Sequence, residues 1–426
     1  MKIAFATYDL VDDVGGVSSW LRGLLPRLQA AGIEVDVHLL SLDGKPGTNC
    51  AWYKAHGISF RWATMEDTPR SVRHCLRFLE ESQPDIYVPN CIYPAYFAAS
   101  YARAQGISTV GVMHSDDSFY WSIAEDFIKG SERYRLSAMV SVSSFLASSL
   151  ESEKNRSVLL EQIGYGVTIP KVQANPPGTF FRLIYAGRLV EEQKRISDVT
   201  RALCGAAQRF QNIEAWIAGE GNARGNVEKI IHDHPALATR VRLLGHIDND
   251  KISDVLKDCH GFVLLSDFEG LPVSLLEAMA AGVVPICLDM RSGIREVIQP
   301  SVNGLIVQDR EKDFFAAVEN LQADPAQWQR LSTAARETIQ RSYSVDASAQ
   351  KWLELFHALK PATAKNPFKM PSHLHRPDSN QWYVTSRFWV VRQANRLLSQ
   401  IFPAKFKKSV KALARRLANS LNERSS

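Results

Sequence analysis

The chain has 426 residues, of which 45% are hydrophobic and 22% charged, so it has material for two or three well-packed domains and lacks the composition of a disordered chain. Its formal net charge is +5, and its six cysteines lack the close pairs of a zinc site, which predicts reduced core thiols in a cytoplasmic protein. No apolar run reaches the ~18 residues of a membrane-spanning helix. No phosphate-loop, zinc-protease or nucleophile-elbow motif supports a kinase, metalloprotease or hydrolase.

Short apolar runs alternate with helical patterns along the first half of the chain. The pattern predicts strands at 2–7, 34–40, 85–89, 107–113 and 138–142, and helices at 16–31, 70–82, 93–105 and 143–151. Such alternation is typical of a parallel sheet wrapped by helices. The turn-rich segments 164–170 and 175–178 then predict a linker between domains.

The second half repeats the alternation. Strands are predicted at 181–186, 213–218, 241–243, 261–265, 283–287 and 305–307, with a last helix at 346–359. We therefore expect an α/β protein with two doubly wound, Rossmann-like domains that face each other across a cleft. The predicted segments are a first domain at 1–165, a second at 166–345, a helix at 346–360 and a basic, amphipathic helical tail at 361–426. Ligands of such folds bind at the carboxyl ends of the strands.

Two glutamates follow a predicted buried strand at 261–265. Glu269 lies in the loop after that strand, and Glu277 lies in a helix predicted to begin near Pro272. The free N–H groups and positive dipole of a helix start attract anions, while carboxylates accept hydrogen bonds from sugar hydroxyls. An isolated pair of this kind would more often be solvated surface residues. A helix start that attracts anions, flanked by two carboxylates, suits a ligand with both phosphate and sugar parts.

This stretch resembles the signature of the retaining glycosyltransferases of family 4, which have the GT-B fold of two Rossmann domains. The resemblance is carried by Ser266, Glu269, Gly270, Glu277, Ala278, Met279, Gly282 and Pro285, by 292–297 and by 303–305. With gaps it covers residues 1 to about 356. It implies transfer of a sugar from a nucleoside diphosphate donor to an acceptor hydroxyl, with retention at the anomeric carbon and without an essential metal or other cofactor. It also implies that the last helix crosses back onto the first domain.

The resemblance assigns roles around the helix start. Glu269 is expected to contact the hydroxyls of the donor sugar, and Glu277 the ribose. The donor diphosphate is expected beside Gly270, Leu271, Pro272 and Val273.

Arg188 and Lys194 follow the predicted strand at 181–186. A guanidinium fork and an ammonium can both hold a diphosphate and offset the charge that develops on it. Two solvated surface cations are the alternative. The family pattern has the lysine five residues after the arginine, whereas here it is six. Lys194 is the better match, and Arg195 stays open as the second cation.

Two glycines and a histidine are further candidates. Gly16 follows the first strand, and Gly219 follows the strand at 213–218, where glycine lets the backbone approach a phosphate or a base. Both are also compatible with plain turns. His114 follows the strand at 107–113. By resemblance it faces the donor sugar and the acceptor and hydrogen-bonds the sugar.

Asp248 and Asp250 form a D-x-D sequence, which binds a divalent cation in glycosyltransferases of the other fold. The favoured interpretation is that one of them caps a helix predicted at 251–259. No metal site is therefore expected.

The tail is strongly basic. Residues 361–426 contain 13 Lys/Arg and 2 Asp/Glu, against 37 and 43 in residues 1–360. Lysines and arginines alternate there with apolar residues at helical spacing, among them Trp389, Phe402, Phe406 and Leu413. Residues 375–426 are expected to contact an anionic membrane surface. Packing onto the acidic body and binding of nucleic-acid phosphates are the alternatives, and the second is disfavoured because no base-reading motif accompanies the charges.

The sequence thus predicts a cytoplasmic glycosyltransferase, with a peripheral position on the inner face of the membrane. We expect a nucleoside diphosphate sugar as donor, with UDP the commonest carrier, and a glycan or lipid-linked acceptor in surface polysaccharide assembly. A nucleotide-sugar epimerase of similar fold and a non-enzymatic protein with a degraded transferase body are the alternatives. The intact set of Arg188, Lys194, Glu269 and Glu277 disfavours degradation.

Overall fold

The computed structural model describes residues 1–10, 15–151, 157–359 and 366–375, and two parallel sheets organise it. The first sheet contains β1 (Lys2–Asp9), β2 (Glu34–Ser41), β3 (Ser59–Thr64), β4 (Ile86–Pro89), β5 (Ser108–Met113), β6 (Ala138–Ser141) and β7 (Leu159–Gln162). The second contains β8 (Phe181–Ala186), β9 (Ile213–Ala218), β10 (Val241–Gly245), β11 (Gly261–Leu264), β12 (Val284–Leu288) and β13 (Leu305–Val307). Their strand orders are β3-β2-β1-β4-β5-β6-β7 and β10-β9-β8-β11-β12-β13.

Helices cover these sheets and connect their strands. In the first half they are α1 (Gly16–Ala30), α2 (Thr48–Ala55), α3 (Thr68–Ser82), α4 (Tyr93–Ala104), α5 (Ser118–Ala124) and α6 (Ser144–Glu151). In the second half they are α7 (Ile196–Arg209), α8 (Arg224–His232), α9 (Ile252–Leu256), α10 (Val273–Ala280), α11 (Ile294–Val297), α12 (Lys312–Ala323), α13 (Pro325–Ser342) and α14 (Val345–Leu359). A π-helical turn follows α5 at Glu125–Lys129, and 3₁₀ turns lie at Glu132–Tyr134 and Pro235–Leu237.

Burial explains why the central strands form. Every residue of β4, β6, β11 and β12 is buried, as expected for parallel strands that helices cover on both faces. The covering helices are amphipathic: α3 buries Val72, Leu76 and Leu79 on one face and exposes charged residues on the other. The cores therefore lie between each sheet and its helices, and the predicted fold class of two doubly wound units is confirmed.

The last helix packs against the first half of the chain. The indole of Trp352 in α14 lies 5.5 Å from that of Trp20 in α1, and the ring of Phe356 lies 6.4 Å from that of Phe5 in β1. The connection near residue 166 meets the start of α14, where Val167 accepts a hydrogen bond from the N–H of Val345 at 3.0 Å.

Of the predicted basic tail at 361–426, the structure describes only residues 366–375, and the amphipathic helical pattern that includes Trp389 and Leu413 lies outside the described residues. Within the described ranges, no helix combines the length and the apolarity needed to cross a membrane.

Candidate functional site

Adjacent strands of the second sheet bring together the residues that are predicted to bind the phosphates and the sugar. β8 and β11 are neighbours, and Arg188 follows the first while Glu269 follows the second. Because parallel strands end at the same edge of a sheet, both side chains reach that edge. The loop that carries Glu269 is held by the N–H of Glu269, which donates to the carbonyl of Arg291 at 3.1 Å.

Glu269 and Lys194 form a buried ion pair at this edge. The ammonium of Lys194 donates to Oε1 of Glu269, and the two side chains are 11% and 7% exposed. Lys194 comes from the loop before α7, so the pair joins two loops that are 75 residues apart. A buried charge requires such a partner, and each of these two side chains supplies the other's.

Gln193 links this pair to Arg188. Its amide nitrogen donates to Oε2 of Glu269 at 3.1 Å and to the carbonyl of Phe268 at 3.2 Å. Its amide oxygen accepts a hydrogen bond from the exposed guanidinium of Arg188 at 2.9 Å. Arg188, Gln193, Glu269 and Lys194 therefore form one connected cluster, which we call the carboxyl-edge cluster.

Arg195 points elsewhere. Its guanidinium bonds Asp198 at 2.7 Å and lies 3.8 Å from Asp267, with 45% of its side chain exposed. Of the two cations that the sequence left open, the structure places Lys194 and not Arg195 in the carboxyl-edge cluster.

The start of α10 faces the same edge. The helix begins at Val273 with Pro272 as its N-cap, and Leu271 and Val273 are buried. Among the described residues, the N–H groups of Val273 and Ser274 have no hydrogen-bond acceptor. They provide donors for an anion at the positive end of the helix dipole.

Glu277 lies one turn into α10 and is half-buried. Burial raises the pKa of its carboxyl group to about 7. Within the described part of the chain this carboxylate has no hydrogen-bond or ion-pair partner. It therefore has unused capacity for a ligand hydroxyl.

Gly219 fits tightly against a neighbouring loop. Its φ is +140°, and a Cβ built there would lie 1.9 Å from the carbonyl oxygen of Gly187, so a side chain would force the two loops apart. Its N–H donates to the carbonyl of Gly245 at 2.7 Å. The close packing joins the carboxyl ends of β8, β9 and β10.

His114 lies at the facing edge of the first sheet, after β5. Its Nε2 is 2.6 Å from Oδ1 of Asn90, and its Nδ1 meets the hydroxyl of Tyr165. Burial lowers the pKa of its imidazole to about 3, so the ring is neutral. These partners assign the proton to Nε2, which donates to Asn90, while Nδ1 accepts from Tyr165. A hydrogen bond from this ring to a donor sugar would therefore have to replace its bond to Asn90 or its bond to Tyr165.

The two halves touch next to the cluster. A Cβ on Gly270 would lie 2.0 Å from the carbonyl oxygen of His114, and one on Gly16 would lie 3.1 Å from Cγ2 of Val273. Arg291 of the second half donates to Asp116 of the first. The two edges that carry the predicted residues therefore face each other directly.

The predicted helix cap at Asp248 or Asp250 is wrong. The helix is α9, which begins at Ile252 with Lys251 as its N-cap and without a capping side chain. Asp248 is exposed and pairs instead with Lys251 at 3.1 Å and with His246 at 3.2 Å. Its pKa is lowered mainly by the hydrogen bond from Lys251. Across the residues that the structure describes, no group of three acidic, His or Cys side chains could hold a metal ion.

Sequence reasoning missed Gln193, Asn90 and Tyr165. Asn90 follows the buried strand β4 just as His114 follows β5, so the same rule could have found it. Gln193 lies between Arg188 and Lys194, in the segment that is one residue longer than the family pattern. Nothing in that pattern indicated that the side chain of Gln193 bridges two loops.

Comparisons with known proteins agree with this architecture. A family model described as Glycosyltransferase Family 4 matches residues 14–159, and one described as Glycosyl transferases group 1 matches residues 169–338. The lipopolysaccharide 1,6-galactosyltransferase of Escherichia coli (strain K12) is 24% identical over 328 residues, which are 75% of this chain and 88% of that protein. The chain belongs to glycosyltransferase family 4.

A second relative supports the same assignment over most of the chain. The lipopolysaccharide 1,6-galactosyltransferase of Salmonella typhimurium is 24% identical over 366 residues, 81% of this glycosyltransferase and 96% of that protein.

Solved structures share the GT-B fold. A crystal structure of Anabaena Alr3699/HepE in complex with UDP and glucose has a TM-score of 0.69 at 17% identity, covering 84% of this chain and all of that one. The apo lipopolysaccharide outer core galactosyltransferase WaaB has a TM-score of 0.63 at 20% identity, covering 84% and 99%. At these identities the likeness concerns the fold, and the prediction of GT-B is confirmed.

Proposed function

We propose that this glycosyltransferase moves a sugar from a UDP-sugar to a hydroxyl of a glycan or lipid-linked acceptor in surface polysaccharide assembly. We further propose that it retains the anomeric configuration and needs no metal. Relatives named as lipopolysaccharide galactosyltransferases, which match along most of the chain, support the class of acceptor. Crystal structures of Anabaena Alr3699/HepE, which has the same fold, in complex with UDP support the choice of nucleotide.

The carboxyl-edge cluster is the observation that carries the proposal. It sets two cations and a carboxylate beside the free N–H groups of α10. Arg188 and Lys194 would bind the diphosphate, and Glu269 would accept hydrogen bonds from the sugar hydroxyls. Glu277, which has no partner in the described part of the chain, would bind the ribose hydroxyls. In this arrangement each charged part of the donor meets a group of opposite charge or a hydrogen-bond donor.

Transfer would then proceed on one face of the sugar. The bond between the anomeric carbon and the phosphate oxygen breaks, and the acceptor oxygen bonds to the same face of that carbon. The leaving phosphate takes the proton of the acceptor hydroxyl, so no protein nucleophile is needed. Arg188 and Lys194 offset the negative charge on the leaving diphosphate. The contact of Gly270 with His114 would limit the entry of water.

Slow hydrolysis of the donor tests the proposal without knowledge of the acceptor. The protein is incubated with UDP-galactose, UDP-glucose or UDP-N-acetylglucosamine in EDTA, and proton NMR follows the sugar that is first released. Retention predicts the α-anomer, and Glu269→Gln should abolish release. Release of the β-anomer would contradict retention, a requirement for a divalent cation would contradict metal independence, and an epimerised sugar would indicate the epimerase.

We also propose that residues 375–426 contact an anionic membrane surface, because their lysines and arginines alternate with apolar residues. Deletion of residues 376–426 should move the protein from the membrane to the supernatant fraction of cells. An unchanged membrane fraction would contradict this contact and leave the proposed transfer untouched.

A further inference from the structure

Asn90 is a buried asparagine at the carboxyl end of β4 whose side-chain amide has one unused group. Its backbone N–H donates to the carbonyl of Ala6 in the neighbouring strand β1 at 2.8 Å, which fixes its place at the edge of the sheet. Within the described ranges, Nδ2 of Asn90 is buried and has no hydrogen-bond partner. A buried donor without an acceptor destabilises a fold, so its presence in a native structure requires an explanation.

The neighbours of Asn90 determine which end of its amide is unused. The thiol of Cys91 donates to Oδ1 of Asn90 at 3.4 Å, which identifies the atom that faces His114 as the amide oxygen. An amide oxygen only accepts hydrogen bonds, so Nε2 of His114, 2.6 Å from it, is assigned the ring proton. Both neighbours therefore donate to the oxygen, and the amide nitrogen is left without a partner among the described residues.

Both ring nitrogens of His114 are already engaged. Nε2 meets Asn90, and Nδ1 meets the hydroxyl of Tyr165, whose ring stacks on the imidazole with an angle of 10° between the two planes. The indole of Trp20 packs against the imidazole with ring centres 5.2 Å apart. These contacts fix the imidazole, and the imidazole in turn holds the amide oxygen of Asn90. The amide nitrogen is thereby kept turned away from His114.

The backbone directly after Asn90 has an uncommon conformation. Cys91 has a φ of +59°, in the left-handed region that residues other than glycine seldom adopt. Its Sγ also lies 3.1 Å from the hydroxyl of Tyr120. Such conformations persist only where the surroundings fix them, and they concentrate at binding and catalytic sites. The sharp turn at Cys91 therefore agrees with a functional position for Asn90.

Asn90, His114 and Tyr165 lie opposite the loop of the second half that carries Glu269. A Cβ on Gly270, the next residue in that loop, would lie 2.0 Å from the carbonyl oxygen of His114. The pKa of Tyr165 is raised mainly by burial, and the charge of Glu269 contributes to the shift, so this carboxylate is within electrostatic reach of the three residues. A donor sugar that enters between the halves therefore meets Glu269 on one side and Asn90 with its two partners on the other.

We propose that Nδ2 of Asn90 donates a hydrogen bond to one hydroxyl of the donor sugar, and that His114 is the positioning residue that holds the amide in this orientation. The inference rests on the proposed transfer from a UDP-sugar and adds a specificity-determining group in the first half. A sugar with a hydroxyl oxygen at this place satisfies the amide nitrogen. A sugar that lacks the hydroxyl leaves the buried donor unpaired and is rejected.

The test measures the coupling between Asn90 and each hydroxyl of the donor sugar. Calorimetric titration compares UDP, UDP-galactose or UDP-glucose, whichever binds more tightly, and each monodeoxy analogue of that sugar nucleotide. The proteins are the full chain and its variants Asn90→Ala, Asn90→Asp, His114→Ala and Asn303→Ala. Asn90→Asp keeps an acceptor for His114 and loses the amide donor, so it is informative even where Asn90→Ala lowers stability. Asn303 is the control, a buried asparagine of the second half whose amide oxygen and nitrogen both have partners.

We expect that removal of one particular hydroxyl weakens binding to the full chain and to Asn303→Ala about 3- to 10-fold, and costs no further affinity in either Asn90 variant. UDP, which has no sugar, should bind the Asn90 variants as tightly as it binds the full chain. A loss of the same size for every analogue would indicate a structural role of Asn90 and would overturn the proposal. A hydroxyl coupled to His114→Ala but not to Asn90→Ala would also overturn it. If the full chain bound no sugar nucleotide, the proposed function itself would be contradicted, and this inference with it.

Discussion

Lys194 and Glu269 are each other's charge partner in a nearly buried position, at the edge where the two halves meet. Each is also proposed to bind a different part of one donor, the ammonium a phosphate and the carboxylate the sugar hydroxyls. The pair therefore holds the two groups in position before the donor arrives, since neither side chain has to find its place after binding.

The first prediction is a coupling between these two residues. Removal of one charge leaves the other buried and unpaired, so Lys194→Met and Glu269→Gln should each lower the free energy of unfolding by about 3 kcal/mol. The double variant should lose at least about 1 kcal/mol less than the sum of the single losses. Urea unfolding of the four proteins measures this coupling, and additive losses would contradict it.

A second ion pair, away from the cluster, serves as a control that separates effects on stability from effects on function. Arg182 and Glu214 form an ion pair at 2.7 Å in the second half, away from the cluster. Arg182→Met and Glu214→Gln should destabilise the protein and leave donor turnover per folded molecule unchanged. The Lys194 and Glu269 variants should reduce kcat/KM at least about 100-fold.

The second prediction concerns Arg188 and Arg195, the two arginines near the proposed donor site. Arg188 is exposed, so Arg188→Ala should leave the melting temperature of the free protein unchanged while it weakens UDP-sugar binding about 10- to 100-fold. Arg195→Ala should change that affinity less than about twofold, because its guanidinium pairs with Asp198 and Asp267. Calorimetric titration measures both, and equal losses would contradict the placement of the diphosphate.

The third prediction tests closure of the cleft. Gly270→Ala would put a Cβ 2.0 Å from the carbonyl oxygen of His114 and so hold the halves apart. Turnover should fall at least about tenfold, with a small change in thermal stability. Gly178→Ala is the control, since nothing lies within 4 Å of the added Cβ. If Gly270→Ala were as active as the control, the contact would not be needed for the reaction.

The fourth prediction is a pH dependence set by Glu277. Burial raises its pKa from 4.5 to about 7, so the folded state holds a proton there that the unfolded state has lost. The contribution to stability is fully present below pH 4.5 and is lost as the pH rises through 7. One pKa unit corresponds to about 1.4 kcal/mol, and partial exposure reduces the total to about 1–2 kcal/mol. Unfolding of Glu277→Gln should lack this component, whereas Glu319→Gln, an exposed control, should keep it.

On the proposed binding mode, the ionised form of Glu277 would accept hydrogen bonds from ribose hydroxyls with both of its oxygens. UDP-glucose binding should therefore strengthen as the pH rises from 6 to 8, and Glu277→Gln should flatten the profile. UDP-glucose is the appropriate probe because its diphosphate has no group that titrates in this range. An unchanged slope in Glu277→Gln would contradict contact with the ribose.

Local patterns were enough to predict much of this molecule. The six strands of the second sheet were predicted because buried parallel strands are short apolar runs between turns. β3 was missed because it is half-exposed and carries Arg61, and β7 because most of its four residues are exposed. The short helix α2 was missed too, since it buries only Asn49 and Tyr53.

The unpredicted parts depend on distant contacts. Gln83 meets Phe368 across 285 residues, and Gln193 meets Glu269 across 76, and no local periodicity records such pairs. The cap predicted at Asp248 or Asp250 was wrong because α9 begins later than its pattern indicated. The carboxylate of Asp248, which was expected to cap this helix, instead pairs with Lys251 and His246.

The most direct test of the proposed function is the melting temperature of the protein with UDP-, GDP-, ADP-, CMP- and dTDP-sugars, each with and without EDTA. A ligand that binds only the folded state must raise this temperature. We predict a rise with the UDP-sugars that EDTA leaves unchanged, that Arg188→Ala abolishes and that Arg195→Ala retains. No rise with any nucleotide sugar would contradict a donor site at Arg188, Lys194 and Glu269.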